Sequence, residues 1–161
     1  MKTIILYATK YGASREIAHR ISERIDGAET YDLKQDSIPD LAGYDCVIVG
    51  SSIYAGMTRK EAKEFLSQSA DVLHGKRLGL FISGMSTDNE EAVLAAAFSK
   101  ELLRCARKAS VLGGIFDPKK AGFFERFIMK IVTKKSEYIN TIDDGKIDAF
   151  VNAVMDGTEG C

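Results

Sequence analysis

The sequence predicts an α/β protein, an open, doubly wound, mostly parallel sheet with helices on both faces. Three observations carry this expectation. Apolar runs at 3–8, 44–50 and 77–84 are continuous rather than alternating, as strands covered on both faces are. Between them lie segments with apolar residues at three- and four-residue spacing, the mark of amphipathic helices. Each run also ends in a loop of small and hydroxyl-bearing residues, on the rim where ligands sit on such sheets.

The elements follow in order. Residues 3–8 form the first strand. From Ser14, the residues Ile17, Ala18, Ile21 and Ile25 fall on one face of a helix, with Ser14 as N-cap and Gly27 as C-cap. Residues 29–33 make a more polar, edge-like strand, and 36–40 a loop. Strand three at 44–50 ends in a loop running from Gly50 to Gly56. Thr58 and Glu61 read as a capping box before a helix that carries Ala62, Phe65 and Leu66 inward. Strand four at 77–84 runs into a loop over 83–88. A helix from about residue 89 places Leu94, Phe98, Leu102 and Cys105 on one face. Strand five spans 109–116, interrupted by Gly113 and Gly114. After a segment at 117–142, Asp143 or Asp144 caps a last helix with Ile147, Phe150, Val151 and Val154 inward. The gap between strands two and three is too short for a full crossover helix.

Composition narrows the partners. At 161 residues the chain is one domain by size, long enough to bury a core. Its net charge of −1 supplies no global field for nucleic acid. The three Cys form no paired spacing, which points to a reducing compartment and a cytoplasmic protein. No apolar stretch has the length of a secretory signal or a membrane span. No cluster has metal-ligand spacing. His19 and His74 stand apart in polar surroundings, and no catalytic triad or carboxylate pair is visible, so no catalytic side chain is assigned.

The loop after strand one, Thr9-Lys10-Tyr11-Gly12-Ala13-Ser14, presents hydroxyls and backbone amides at a helix start, a site suited to a phosphate group. The nucleoside-triphosphate loop G-x-x-x-x-G-K-[ST] and the dinucleotide fingerprint G-x-G-x-x-G are both absent. A phospho-receiver domain would need acidic residues after strand one and an Asp after strand three. Here Thr9 and Gly50-Ser51 occupy those places.

What remains, T-x-x-G-x-S, resembles the T-x-T-G-x-T phosphate loop of the flavodoxin family, with Tyr11 where the family commonly has Thr or Ser. The resemblance covers nearly the whole chain. It implies a flavodoxin-like five-stranded parallel sheet in the order 2-1-3-4-5, one domain over 1–161, with an insert at 117–142 before the last helix. It further implies FMN as cofactor. Thr9, Lys10, Tyr11, Gly12, Ala13 and Ser14 would wrap the phosphate. Ser51, Ser52, Ile53, Tyr54, Ala55 and Gly56, with Ser83, Gly84, Met85 and Ser86, would flank the flavin ring. Each position also has a plainer reading: a βα turn with its cap, a half-exposed loop Tyr, a turn Gly at position 56, a connecting loop.

A closer resemblance is to the menaquinone-dependent protoporphyrinogen dehydrogenases, a flavodoxin-like subgroup. It rests on the opening M-K-T-I-I-L-Y-A-T-K-Y-G-A-S-R-E-I-A, the loop G-S-S-I-Y-A-G and the stretch F-F-E-R-F-I-M-K-I-V. It implies, as an alternative to an electron carrier working with a redox partner protein, an enzyme of heme biosynthesis taking quinone and porphyrin substrates. A non-redox binding module on the same fold is a third reading. The insert carries Phe123, Phe124, Phe127, Ile128, Ile131 and Val132 as an apolar stripe. It also holds six positive charges between 119 and 135 (Lys119, Lys120, Arg126, Lys130, Lys134, Lys135) against Glu125. Such a basic amphipathic segment fits a peripheral contact with the inner face of the membrane, a quinone or porphyrin entrance, or a partner's acidic face. It equally fits a helix packing its Phe residues on the sheet edge.

Overall fold

The computed structural model describes residues 1–54, 56–85, 89–123, 126–127, 130 and 137–156. The strands are β1 (Thr3–Ala8), β2 (Glu29–Asp32), β3 (Cys46–Tyr54), β4 (Met57–Thr58), β5 (Arg77–Ser83), β6 (Ala106–Val111), β7 (Ile115–Phe116) and β8 (Ile139–Asn140). The helices are α1 (Ala13–Ser22), α2 (Lys60–Gln68), α3 (Ala70–Leu73), α4 (Glu90–Ala97), α5 (Lys100–Cys105) and α6 (Asp144–Met155). Five strands pair in parallel in the order β2-β1-β3-β5-β6, so the expected 2-1-3-4-5 topology is realised. The short strand β4 adds antiparallel to the end of β3.

The pleat of the sheet sorts the core into two layers, because successive side chains point to opposite faces. Ile5, Tyr7, Ile48 and Phe81 face α1 and α6 and pack with Ile17, Ile21, Ile147, Phe150 and Val154. Ile4, Leu6, Val47, Val49, Leu80 and Ile82 face the other way, onto Leu66, Leu73 and Phe98. Both layers are almost fully buried, which is why the central strands read as continuous apolar runs. Phe81 is pinned by geometry as well as by burial. Its ring meets Phe150 edge-on at 6.4 Å and lies across Gly50, its cross-strand partner. A Cβ on Gly50 would fall 1.9 Å from that ring.

Ion pairs add a surface stitch between α1 and α6. Arg20 reaches Asp144 at 2.8 Å and Arg24 reaches Asp144 at 2.9 Å, with Asp148 as a further partner of Arg24. Such exposed pairs contribute under about 1 kcal/mol each. A fully buried Ile or Phe contributes about 1.5–3 kcal/mol, so packing decides where α6 sits. The short β2–β3 connection is a loop with one 3-10 turn at Leu41–Gly43, whose Leu41 and Tyr44 are buried in place of a crossover helix.

Several element boundaries differ from the expectation. Gly12, not Ser14, is the N-cap of α1, and the helix stops at Ser22 with Glu23 as its C-cap; Gly27 (φ 69°) belongs to the turn beyond. Strand β3 continues through Ser51, Ser52 and Ile53, because β1 and β5 pair with Ser51, β5 with Ser52 and β4 with Ile53, which overrides the loop-like composition. Thr58 therefore lies in β4, and α2 starts after Arg59 without a side-chain cap. The helix expected from residue 89 is two helices, broken at Phe98 and restarted by Ser99, whose hydroxyl accepts from Leu102 N at 3.2 Å. Strand five ends at Val111. Residues 115–116 leave it to pair with 139–140 as a separate two-stranded ribbon that brackets the insert. Asp143 is the cap of the last helix, accepting from Lys146 N at 3.0 Å.

Two predictions follow from this packing. Gly50→Ala should cost about 3 kcal/mol or more in urea unfolding, whereas Gly43→Ala, with nothing within 4 Å of its added Cβ, should cost under about 1 kcal/mol. The second concerns pH. Glu29 accepts hydrogen bonds from the Tyr31 hydroxyl at 2.9 Å and the Tyr44 hydroxyl at 3.0 Å. Those bonds hold Glu29 below the usual carboxylate range, and the bond to Glu29 pushes Tyr31 up to about 12. The folded state thus keeps the Tyr31 proton longer than the unfolded chain does, whose Tyr titrates near ~10. The stabilisation is full below that point and is lost as pH climbs toward about 12. The melting-temperature advantage of the wild type over Tyr31→Phe should shrink across that window; a constant difference would contradict the assignment.

Candidate functional site

The site is assembled on the rim formed by the carboxyl ends of the parallel strands. After β1, the Thr9 hydroxyl accepts from Gly12 N at 2.9 Å and closes a tight turn. Gly12 stands at φ 98°, a left-handed conformation that glycine adopts without penalty. It opens α1 with no side chain capping the helix. First-turn amides have no partner inside a helix, so this turn is open to an anionic group. The residue expected as cap, Ser14, is used elsewhere. Its buried hydroxyl bonds that of Ser83 at the end of β5, 2.8 Å away, tying the first loop to the third.

The second segment is the end of β3, turned by Gly56 (φ 75°) into β4. Ser51 faces inward, accepting from Arg59 N at 2.9 Å and donating to Ser52 O at 3.1 Å. The Ser52 hydroxyl is buried and has no hydrogen-bond partner among the described residues. Tyr54 is 39% exposed, and the Lys10 ammonium lies 3.1 Å from its ring centroid and 5.0 Å from that of Tyr11. Arg15, in the first turn of α1, is turned away to Asp32 at 3.6 Å. Its guanidinium is held above its ordinary value first by the Tyr7 hydroxyl and then by the Asp32 charge.

The third segment leaves β5 at Ser83. Gly84 N donates to Gly113 O at 3.0 Å, and a Cβ on Gly114 would lie 3.0 Å from the Gly84 carbonyl carbon, so the two backbones run in contact. Between the segments is a cleft of about 80 Å³. Lys10, Tyr11 and Ala13 line it from the first loop, Ser52, Ile53 and Tyr54 from β3, and Ser83, Gly84 and Met85 from the third. Thr9, Gly12, Ser14 and Ser51, expected at the site, are not among its lining residues. Gly56 serves as the hairpin turn, while Ala55 and Ser86 lie outside the described residues.

Gly114 and Ile115 also line the cleft, and sequence reasoning missed them as site residues. The signal was present: a Gly-Gly pair at the carboxyl end of the last strand, on the same rim as the three other loops. A larger concavity of about 1030 Å³ lies elsewhere, between α2–α3 and α4–α5, and includes Leu78 near the amino end of β5. Ligands of open α/β sheets sit at the opposite rim, where the donor-rich cleft is. His19 and His74 are exposed and line neither the cleft nor its supports, and the described residues gather no cluster of His, Cys, Asp and Glu that could hold a metal.

Comparison with known proteins adds four findings. The flavodoxin domain family matches residues 4–142. Protoporphyrinogen IX dehydrogenase [quinone] of Escherichia coli is 23% identical over 146 residues, covering 84% of this chain and 81% of that protein. Among solved structures, a short-chain flavodoxin associated with a non-canonical PDU bacterial microcompartment superposes with a TM-score of 0.59 at 15% identity, over 96% of this chain and 97% of its own. A flavoprotein in complex with FMN from Lactobacillus acidophilus superposes with a TM-score of 0.50 at 21% identity, over 70% of this chain and 91% of its own.

The link between the first and third loops is open to a double-mutant cycle. Ser14→Ala strands the Ser83 hydroxyl in a buried position and should lower stability by about 1–3 kcal/mol. Adding Ser83→Ala should cost little more, because the pair is then removed together. Strictly additive losses in thermal unfolding would show that the two hydroxyls do not bond.

Proposed function

This chain belongs to the flavodoxin domain family, whose members are FMN-binding redox proteins, and from that premise we propose that the rim cleft holds FMN and passes electrons through it. The observation that carries the assignment is the buried Ser52 hydroxyl, left without a partner beside an uncapped helix start and an aromatic ring. A buried hydroxyl without a partner costs about 1–3 kcal/mol, and a bound polar ring edge would offset that. The uncapped turn of α1 suits a phosphate, and Tyr54 offers a flat face to a flat ring.

Bound there, FMN supplies one- and two-electron transfer, and the chain's own residues do the rest. The Thr9–Ser14 turn binds the phosphate with neutral donors and Lys10. Ser52, Gly84 and Gly114 orient the ring through a hydroxyl and close backbone approach, and Ile53, Met85 and Ile115 keep water off it. No acid–base pair is required of the protein, because the redox chemistry is the cofactor's.

The electron partner meets the insert. Phe123 is 81% exposed, Phe127 57% and Tyr138 59%, so these aromatics do not pack on the sheet edge, and Lys119, Lys120, Arg126 and Lys130 are exposed around them. Phe124, Ile128, Ile131 and Val132 of the expected stripe lie outside the described residues, as do Lys134 and Lys135. The insert begins just past Ile115, which lines the cleft, so a partner docked on it would stand next to the flavin. Among the described residues no helix is long and apolar enough to cross a membrane. The cations and aromatics suit peripheral contact at the inner membrane face from the cytoplasm, where quinones reside.

A second reading is transfer of electrons from a porphyrinogen to a quinone, the reaction named for the Escherichia coli protein of 23% identity. Arg126 and Lys130 would then attract the porphyrin carboxylates.

Adding FMN to the purified chain should give a yellow protein and quench flavin fluorescence at micromolar concentrations, with stepwise reduction followed optically. A colourless chain without quenching refutes the FMN reading. The enzymatic reading predicts turnover of protoporphyrinogen IX with a menaquinone analogue. That turnover should be lost in Phe123→Ser/Phe127→Ser while FMN stays bound; absence of turnover in the wild type leaves an electron carrier.

A further inference from the structure

We infer that Thr141 is a positioning residue for the flavin: it holds the Gly84–Gly114 wall of the cleft and ties that wall to the insert. The inference rests on the FMN reading and extends it to a residue outside the cleft. Gly84, Met85, Gly114 and Ile115 form one side of the cleft, whereas Thr141 is exposed and is not among its lining residues.

Thr141 takes both backbone polar groups of Gly114. Gly114 N donates to the Thr141 hydroxyl at 3.1 Å. Gly114 O accepts from Thr141 N at 2.8 Å and from the hydroxyl at 3.3 Å. Closing the β7–β8 ribbon needs only the amide–carbonyl bond, which any residue but proline can make. The hydroxyl is an addition, and it serves Gly114. That position has need of it. Glycine has the freest backbone of any residue, and Gly114 is buried, where an amide without a partner is costly.

The hold passes on to Gly84. Gly113 stands at φ 89°, and its carbonyl accepts from Gly84 N at 3.0 Å. A Cβ on Gly113 would lie 2.0 Å from Thr141 O, and one on Gly114 would lie 3.0 Å from the Gly84 carbonyl carbon. The backbones at 84, 113–114 and 141 are therefore in direct contact, with no side chain between them to absorb a shift. In the other direction Ile115 pairs with Asn140 and Phe116 with Ile139, and the insert spans the gap between those two strands. Thr141 stands where the ribbon ends and the flavin wall begins. A partner that shifts the ribbon reaches the wall through this residue.

Thr141→Val keeps the branched shape and the backbone bond and removes only the hydroxyl. Titration of the full chain with FMN, read by flavin fluorescence and by the visible circular dichroism of the bound flavin, tests the assignment. Thr141→Val should bind FMN about tenfold more weakly and alter the bound-flavin dichroism, and Thr141→Ser should restore both. Asn140→Ala loses the side-chain bond to Ile142 N at 3.0 Å but leaves Gly114 untouched, and should do neither. Should Thr141→Val fail to fold, the wild type still decides. Its Gly84 and Gly114 amides should exchange slowly with solvent deuterium before any FMN is added. A lower melting temperature in Thr141→Val with wild-type FMN affinity and dichroism would leave a structural role alone and overturn the inference. Fast exchange at Gly114, or an equal loss in Asn140→Ala, would overturn it too. The FMN reading survives each of those results; a wild-type chain that binds no FMN overturns both.

Discussion

The Phe81 ring lying across Gly50 sets the register on which the site depends. The two residues are cross-strand partners in adjacent parallel strands, and the ring fills the volume that a side chain on Gly50 would take. Register in a sheet is otherwise a matter of face: a slip of one residue would turn every core side chain of β3 toward the wrong layer. Here the constraint is also local. Beyond Gly50 and Phe81 the next partners are Ser51 with Ile82 and Ser52 with Ser83. The hydroxyls of the rim are thus carried at a fixed height above a packed aromatic, and the Ser14–Ser83 bond then fixes the α1 turn against them.

That arrangement explains how strands with loop-like composition make a rigid platform. Ser51, Ser52 and Ser83 are all buried, and the ladders carry their backbone: Ser51 pairs with β1 and β5, and Ser52 pairs with Ser83. Small side chains keep the rim open, and the ladder rather than the side chains supplies its order. The polar groups such a platform offers are mostly backbone amides and hydroxyls, which neutralise little charge themselves. Lys10 is the one charged side chain among the described residues that line the cleft.

The insert extends the same logic to the surface. The β7–β8 ribbon grows from Gly113 and Gly114, and Gly113 packs so closely on the Thr141 backbone that a Cβ there would lie 2.0 Å from its carbonyl oxygen. The ribbon holds the two ends of the insert beside the cleft. Phe123, Phe127 and Tyr138 of the insert are exposed instead of joining either core layer.

By itself the sequence determined the fold class, the strand order implied by its family resemblance, and the three loops that meet at the rim. Apolar continuity and helical spacing are local properties, and they survive folding because both faces of the sheet are covered. The identity of the loop residues in the cleft was legible for the same reason: a strand end fixes which residues stand at the rim. Only the tertiary structure decided what each of them does. Ser14 reads as a helix cap, yet it bonds Ser83, sixty-nine residues away. Residues 51–54 read as loop, yet pairing with β1 and β5 at Ser51, with β5 at Ser52 and with β4 at Ile53 and Tyr54 makes them strand. Gly114 and Ile115 join the site because the loop after β6 packs on the loop after β5, and Lys10 reaches Tyr54 because two strand ends lie side by side. These are contacts between segments far apart in the chain, and no local pattern of residues encodes them.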